Sequence, residues 1–179
     1  MIEAIQDVLD GVKLVTLKEF RDGRGRFVKS FHDTLLREAG IAFELKEEFY
    51  STSHKNVLRG MHFQAPPHDH TKLVMCLSGE VIDVVLDLRK SSAFFGKSAG
   101  FRLSSTKAQF LYIPKGFAHG FLSLADHSML IYKTDAVYTP EFDRGILWNT
   151  FGFSWQIEYP ILSTRDNNFP SFSNFLSPF

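Results

Sequence analysis

Five side chains able to move or hold a proton stand in sequence that otherwise reads as apolar strand. Arg59 and His62 lie in VLRGMHFQAPP, Lys72 heads KLVMCLSGEVID, His119 lies in PKGFAHGFL and Tyr132 in MLIYKT. Each is awkward in a plain β-core, because a buried charge or polar group without a partner loses its hydration. Apolar residues alternating with ionisable ones are what a strand shows when one of its faces looks into a polar cavity. Asp83, inside EVIDVV, has the same difficulty and is a candidate counter-charge for Lys72. A histidine base, a tyrosine acid and a cation that can hold a developing oxyanion form the apparatus for removing a proton next to a carbonyl. Arg59 and His62 are an odd number of positions apart, so a regular strand would point them to opposite faces. Both reach one cavity if Gly60 marks a bulge or bend, or if Arg59 reaches round the strand end.

These residues need a β scaffold, and the chain supplies one. Gly11–Leu17 alternates as a short strand, followed by the turn pair Asp22-Gly23 and an alternation of Phe27 and Phe31. His32–Gly40 is the one convincing helix, with Asp33 or Thr34 as its cap and Gly40 as its stop. From Glu44 to Leu130 short apolar runs are separated by Ser-Gly, Lys-Ser-Ser, Ser-Ser-Thr and Pro-Lys-Gly turns, with no helical interlude long enough for a parallel crossover. The expected fold is all-β: an antiparallel sandwich or barrel of the jelly-roll kind with a few short helices. From about Tyr138 a mixed polar and aromatic segment covers this single domain, with a helical turn near Pro140–Asp143. The final FPSFSNFLSPF reads as a loosely held end or as aromatics that dock on a partner subunit.

Composition narrows the function classes. At 179 residues the chain can bury one sizeable core. Twenty acidic and twenty basic residues cancel, which argues against a general nucleic-acid or membrane-surface binder. A single cysteine, Cys76, excludes a disulfide framework and fits a reducing compartment. The N-terminus MIEAIQDVLDGVKLV has acids inside its apolar pattern and resembles neither a signal peptide nor a span, so the expected location is the cytoplasm.

A metal site is the competing chemistry. His68-Asp69-His70 gives an H-x-H pair after a strand and His119 follows a P-x-G-x-x-H stretch, which is similar to part of the cupin metal pattern of isomerases and dioxygenases. The glutamate expected four or five residues after the second histidine is replaced by Val74 and Met75, and the ammonium of Lys72 would oppose a divalent cation.

LRGMHFQAPP, KLVMCLSGEVIDVVLDLRKSSAFFGK, YIPKGFAHGFL, YKTDAVYTPEFDRGILW and the late LSTRD together resemble the nucleotide-sugar 3,5-epimerase family, from about Asp22 to Asp166. The resemblance implies a cupin-type jelly roll used without metal or other cofactor, a homodimer, and a nucleotide-diphosphate-linked 4-keto sugar as substrate. It implies that His62 is the base, paired with Asp166, that Tyr132 is the opposing acid, and that Lys72 steadies the enolate. Arg59 would hold the diphosphate, His119 and Asp83 would form a supporting network, and Tyr138 would lie against the nucleotide base. Phe20 and Arg24 are further candidates for substrate contact.

Three positions depart from the family pattern. Lys29 stands where a glutamate usually contacts thymine, and Glu47 and Phe49 replace a glutamine and an asparagine at the nucleotide and diphosphate end. An ammonium can only donate, which suits a base edge rich in acceptors. The expectation is therefore a GDP- or CDP-linked sugar, hexose or heptose of a surface polysaccharide, in place of the thymidine form. A non-catalytic sugar-nucleotide binder is disfavoured by the presence of His62, Asp166, Lys72 and Tyr132 together.

Overall fold

The computed structural model describes residues 2–179. In chain order its strands are β1 (Ile2–Leu9), β2 (Val12–Leu17), β3 (Glu19–Asp22), β4 (Gly25–Val28), β5 (Glu47–Ser53), β6 (Leu58–Gln64), β7 (Lys72–Ser78), β8 (Glu80–Asp87), β9 (Ser98–Ser104), β10 (Gln109–Ile113), β11 (Phe117–Ser123), β12 (Ser128–Thr134) and β13 (Asp143–Gly145). Helix α1 (Asp33–Glu38) follows β4, and helix α2 (Thr164–Asn167) lies near the C-terminus. The strands form two sheets, ordered β1-β2-β10-β7-β12-β5 and β13-β6-β11-β8-β9, while β3 and β4 make a separate hairpin. Every strand pairing is antiparallel, as the turn-punctuated sequence implied.

Alternation along each strand sorts the apolar residues into three layers. Val74, Cys76, Val81, Val85, Phe117, Phe121 and Leu130 meet between the two sheets. Their neighbours in sequence point the other way. Leu73 and Met75 join Leu36 of α1 on the outer face of the six-stranded sheet, and Val84, Leu86, Ala118 and Leu122 pack under Trp148, Phe151 and Trp155 on the outer face of the other. β7 is thus buried on both faces, which is why LVMC reads as a continuous apolar run. Asp83, His119 and Tyr132 share the parity of the inter-sheet residues, so the fold turns them inward.

Several local expectations are corrected. The cap of α1 is His32, whose Nδ1 accepts from Leu35 N–H at 3.4 Å, in place of Asp33 or Thr34, and Gly40 ends the helix at φ +75°. Phe31 falls beyond the end of β4. The C-terminal aromatics are held in place. Phe172, Phe175 and Phe179 pack on the outer layer, Phe63 meets the rings of Phe175 and Phe179 edge-on at 5.5 and 5.7 Å, and Lys90 N–H donates to Phe179 O.

β6 is irregular where Gly60 predicted it. His62 lies opposite His119 and Arg59 opposite Phe121, so three steps along β6 match two along β11. This bulge leaves Leu58, Met61 and Phe63 in the outer layer and turns Arg59, His62 and Gln64 toward the inter-sheet space. Gly60 has φ +138°, and a Cβ there would sit 2.5 Å from Gly120 Cα. Gly60→Ala should therefore lower stability by about 2 kcal/mol or more, through backbone strain and overpacking together. Gly23→Ala, at a site with nothing within 4 Å, should change it by less than about 0.5 kcal/mol. Thermal unfolding of the two variants checks the contrast.

Candidate active site

A cavity of about 370 Å³ opens between the sheets. From one sheet it receives Glu47, Phe49 and Ser51 of β5, Lys72 of β7, and Tyr132 and Thr134 of β12. From the other it receives Arg59, His62 and Gln64 of β6, His119 and Phe121 of β11, and Asp143 of β13. His70, Ala136, Tyr138 and Arg165 complete the wall.

His62 Nε2 lies 2.8 Å from Asp166 Oδ1, and Asp166 Oδ2 accepts from Gly60 N–H at 3.0 Å. Asp166 is held by α2, where Ser163 caps the helix and accepts from Asp166 N–H. Burial pushes this carboxyl's pKa up, but His62 and the Gly60 N–H pull it down further, to about 2. The carboxylate is therefore ionised and faces Nε2 of the ring. The His62 pKa lies below the ordinary imidazole value, chiefly from burial, with Arg165 and Lys72 adding to the shift and Asp166 opposing it. The ring is neutral at neutral pH, as a general base must be.

Lys72 is buried, and its Nζ donates to His62 O at 3.4 Å. Burial pushes its pKa down to about 8, with Asp143 and Asp83 opposing. Asp83 is not its direct partner. The Asp83 carboxylate is taken by His119 Nε2, at 2.8 and 2.9 Å, a pairing that accounts for both buried groups. Tyr132 is also buried, and burial raises its pKa so that the phenol keeps its proton. Phe49, directly opposite on β5, stacks on the Tyr132 ring at 4.8 Å and 12°. Across the cavity the wall thus offers a neutral base on one sheet and a neutral acid on the other, with an ammonium beside them. That set can take a proton from carbon and return one from the opposite side.

The other sequence-derived candidates divide. Arg59 lines the cavity, its Nε donating to Ser53 Oγ at 3.1 Å. Tyr138 lines the mouth, its O–H donating to Asp143 Oδ2 at 3.2 Å, and Glu47 accepts from Tyr138 N–H at 2.6 Å. Phe20, Arg24 and Lys29 do not line the cavity. Phe20 and Arg24 belong to the β3–β4 hairpin and Lys29 follows it, and that hairpin pairs with neither large sheet. Arg24 is bound to Asp22 beside it.

The metal set is not assembled. Among the described residues no three His, Cys, Asp or Glu side chains gather where one ion could be held. His68 turns to Thr139 Oγ1 and packs on Phe142, His70 is held by Gln64, and His119 by Asp83.

Sequence reasoning missed Arg165 and Asp143. Arg165 Nη2 lies 2.8 Å from His62 Nε2, and Nη1 pairs with Asp143. Asp166 and Arg165 thus approach the same ring nitrogen, one offering an acceptor and the other donors. The signal was its place beside Asp166 in LSTRD, while Asp143 sat in a Pro-flanked polar stretch with no periodicity to mark it.

Comparison with known proteins places this geometry. Residues 6–174 match the family model described as dTDP-4-dehydrorhamnose 3,5-epimerase. Proteins of that name from Shigella flexneri and Escherichia coli are both 41% identical, over 93% and 92% of this chain and 94% and 91% of theirs. The crystal structure of the Bacillus anthracis enzyme, with TDP and pyrophosphate bound, superposes with a TM-score of 0.94 at 35% identity, covering 96% of this chain and 100% of the other. The Legionella pneumophila enzyme, in complex with dTDP-4-keto-L-rhamnose, gives 0.92 at 33% identity over 97% and 94%. A likeness in sequence and fold that runs nearly end to end and takes in every wall of the cavity leaves one assignment: the chain belongs to the dTDP-4-dehydrorhamnose 3,5-epimerase family, enzymes of the isomerase class.

Proposed function

We propose that the chain inverts carbons flanking the keto group of a nucleotide-diphosphate-linked 4-keto sugar, with dTDP-4-dehydro-6-deoxyglucose the preferred substrate. The observation that carries this reading is the placement of His62 and Tyr132 on opposite sheets facing one cavity, beside the buried Lys72. The keto group at C4 acidifies the hydrogens at C3 and C5, because the resulting anion delocalises onto oxygen. His62 takes the proton, and Asp166 holds the imidazolium that forms. Lys72 neutralises charge on the C4 oxygen, most effectively where water is excluded. Tyr132 then protonates the same carbon from the other side, which inverts it. Arg59 holds the diphosphate and Tyr138 lies against the base.

Two of the three altered handle positions give little reason to change the nucleotide. The Glu47 carboxylate is occupied by Tyr138 N–H and Phe49 is stacked on Tyr132. The relatives' thymidine-linked ligands then support the thymidine form over the GDP or CDP form. The test is incubation in deuterated water with the same 4-keto-6-deoxy sugar on dTDP, GDP and CDP. Mass gain and inversion should be fastest with dTDP, vanish in His62→Asn, and show exchange outlasting inversion in Tyr132→Phe. Equal or better turnover of the GDP or CDP form would reject the nucleotide assignment, and full turnover by His62→Asn would reject the base.

The working unit in this reading is a homodimer, in which the hairpin carrying Phe20 and Arg24, with Lys29 behind it, reaches the partner's cavity. The hairpin stands apart from both sheets and exposes Phe20 and Phe27, as a segment that docks elsewhere would. Sedimentation equilibrium should give twice the chain mass of 20.5 kDa. A fully active monomer would contradict it.

A further inference from the structure

His70 drew attention in the sequence as half of an H-x-H pair, yet the cavity holds it in a state suited to a different task. Thr139 N–H donates to Gln64 Oε1 at 2.6 Å, which fixes the orientation of the Gln64 amide. Gln64 Nε2 in turn donates to His68 O at 2.8 Å and lies 3.2 Å from Val137 O. The same nitrogen lies 2.9 Å from His70 Nδ1. A nitrogen that carries only donors requires an acceptor opposite it, so His70 Nδ1 bears no proton and the neutral ring carries its proton on Nε2. That Nε2 is buried, makes no hydrogen bond among the described residues, and belongs to a side chain in the cavity wall. Burial, followed by the charges of Lys72, Lys115 and His119, pushes the His70 pKa down to about 3, so the ring stays neutral across the working range.

The same chain of bonds explains why His70 is a poor metal ligand. Ligation through Nε2 would move the proton to Nδ1, against the Gln64 amide, and ligation through Nδ1 would displace that amide. What the site offers is a fixed, uncharged N–H donor two residues before Lys72, beside the inward position that follows His62 on β6. A buried donor without a partner is costly, and it is relieved by a ligand that brings an oxygen to it.

We propose that His70 is a substrate-contacting residue whose Nε2–H donates to an oxygen acceptor of the bound sugar diphosphate, and so discriminates against analogues lacking an oxygen there. This rests on the nucleotide-sugar reading of the cavity. The acceptor belongs either to the sugar or to the diphosphate, and the two are separable by experiment.

The test measures binding of dTDP and of dTDP-quinovose, which has no keto group to react, to the wild-type chain and to His70→Gln, His70→Leu and His70→Phe. Loss of one buried donor should weaken binding about tenfold in the Leu and Phe variants, and the Gln amide should restore most of it. Weakening confined to dTDP-quinovose places the acceptor on the sugar, whereas equal weakening of both ligands places it on the diphosphate. Unchanged binding of both ligands by His70→Leu and His70→Phe would overturn the proposal. A second readout needs no ligand: the ring nitrogens of ¹⁵N-labelled His70 should report a neutral Nε2–H tautomer at pH 6, and a charged or Nδ1–H ring would also overturn it. If the wild-type chain binds neither nucleotide, the functional reading fails first, and the tautomer measurement still decides whether His70 is the donor described.

Discussion

The cavity depends on one constraint: every charge taken out of water must meet its complement inside the protein. An uncompensated buried ion costs several kcal/mol, and removing one member of a buried pair typically costs about 3–5 kcal/mol. Asp166 meets this constraint with His62 Nε2, the Gly60 N–H and a longer contact from Arg165 Nε. Asp83 meets it with His119. Lys72 is less well compensated, its one hydrogen bond among the described residues being a long one to a carbonyl oxygen, and burial lowers its pKa. The gradient from fully paired carboxylates to a poorly paired ammonium makes this wall a site for chemistry as well as a packed interior.

Gly60 ties that electrostatics to the fold. Its bulge turns Arg59 and His62 to the same side, its missing side chain lets β6 and β11 approach at Gly120, and its N–H donates to Asp166. A regular strand would lose all three at once. His62 is thus positioned by an irregularity in the ladder, while Tyr132 on β12 sits in the regular part of its sheet, opposite Phe49 of β5.

The fold was largely legible because turn residues punctuate the β-region and alternation is clear in strands buried on one or both faces. β1 was not read as a strand. It is an edge strand of the six-stranded sheet with most side chains in water, so Glu3 and Asp7 blur any periodicity. α2 is four residues long, below the length at which a helical period can show, and Asp166 was reachable only through the family resemblance. The loose-end reading of FPSFSNFLSPF failed because its aromatics match an apolar sheet face that no local pattern reveals. His70 was noticed for the wrong chemistry, since its tautomer is set by Gln64 and Thr139, residues far apart in sequence.

In the proposed reaction, burial leaves His62 neutral and Lys72 charged in the same pH window. For His62 the active form is unprotonated, so activity is lost as pH falls through a pKa below 6.5. For Lys72 the active form is protonated, so activity is lost as pH rises through about 8. The direct measurement is kcat/KM against pH for the wild-type chain and for Lys72→Arg, whose guanidinium does not titrate in this range. The expected profile is a bell with its acid limb below 6.5 and its basic limb near 8 in the wild type, and in the variant a lower plateau without the basic limb. A wild-type profile flat across both limbs, or a basic limb unmoved by Lys72→Arg, would contradict it.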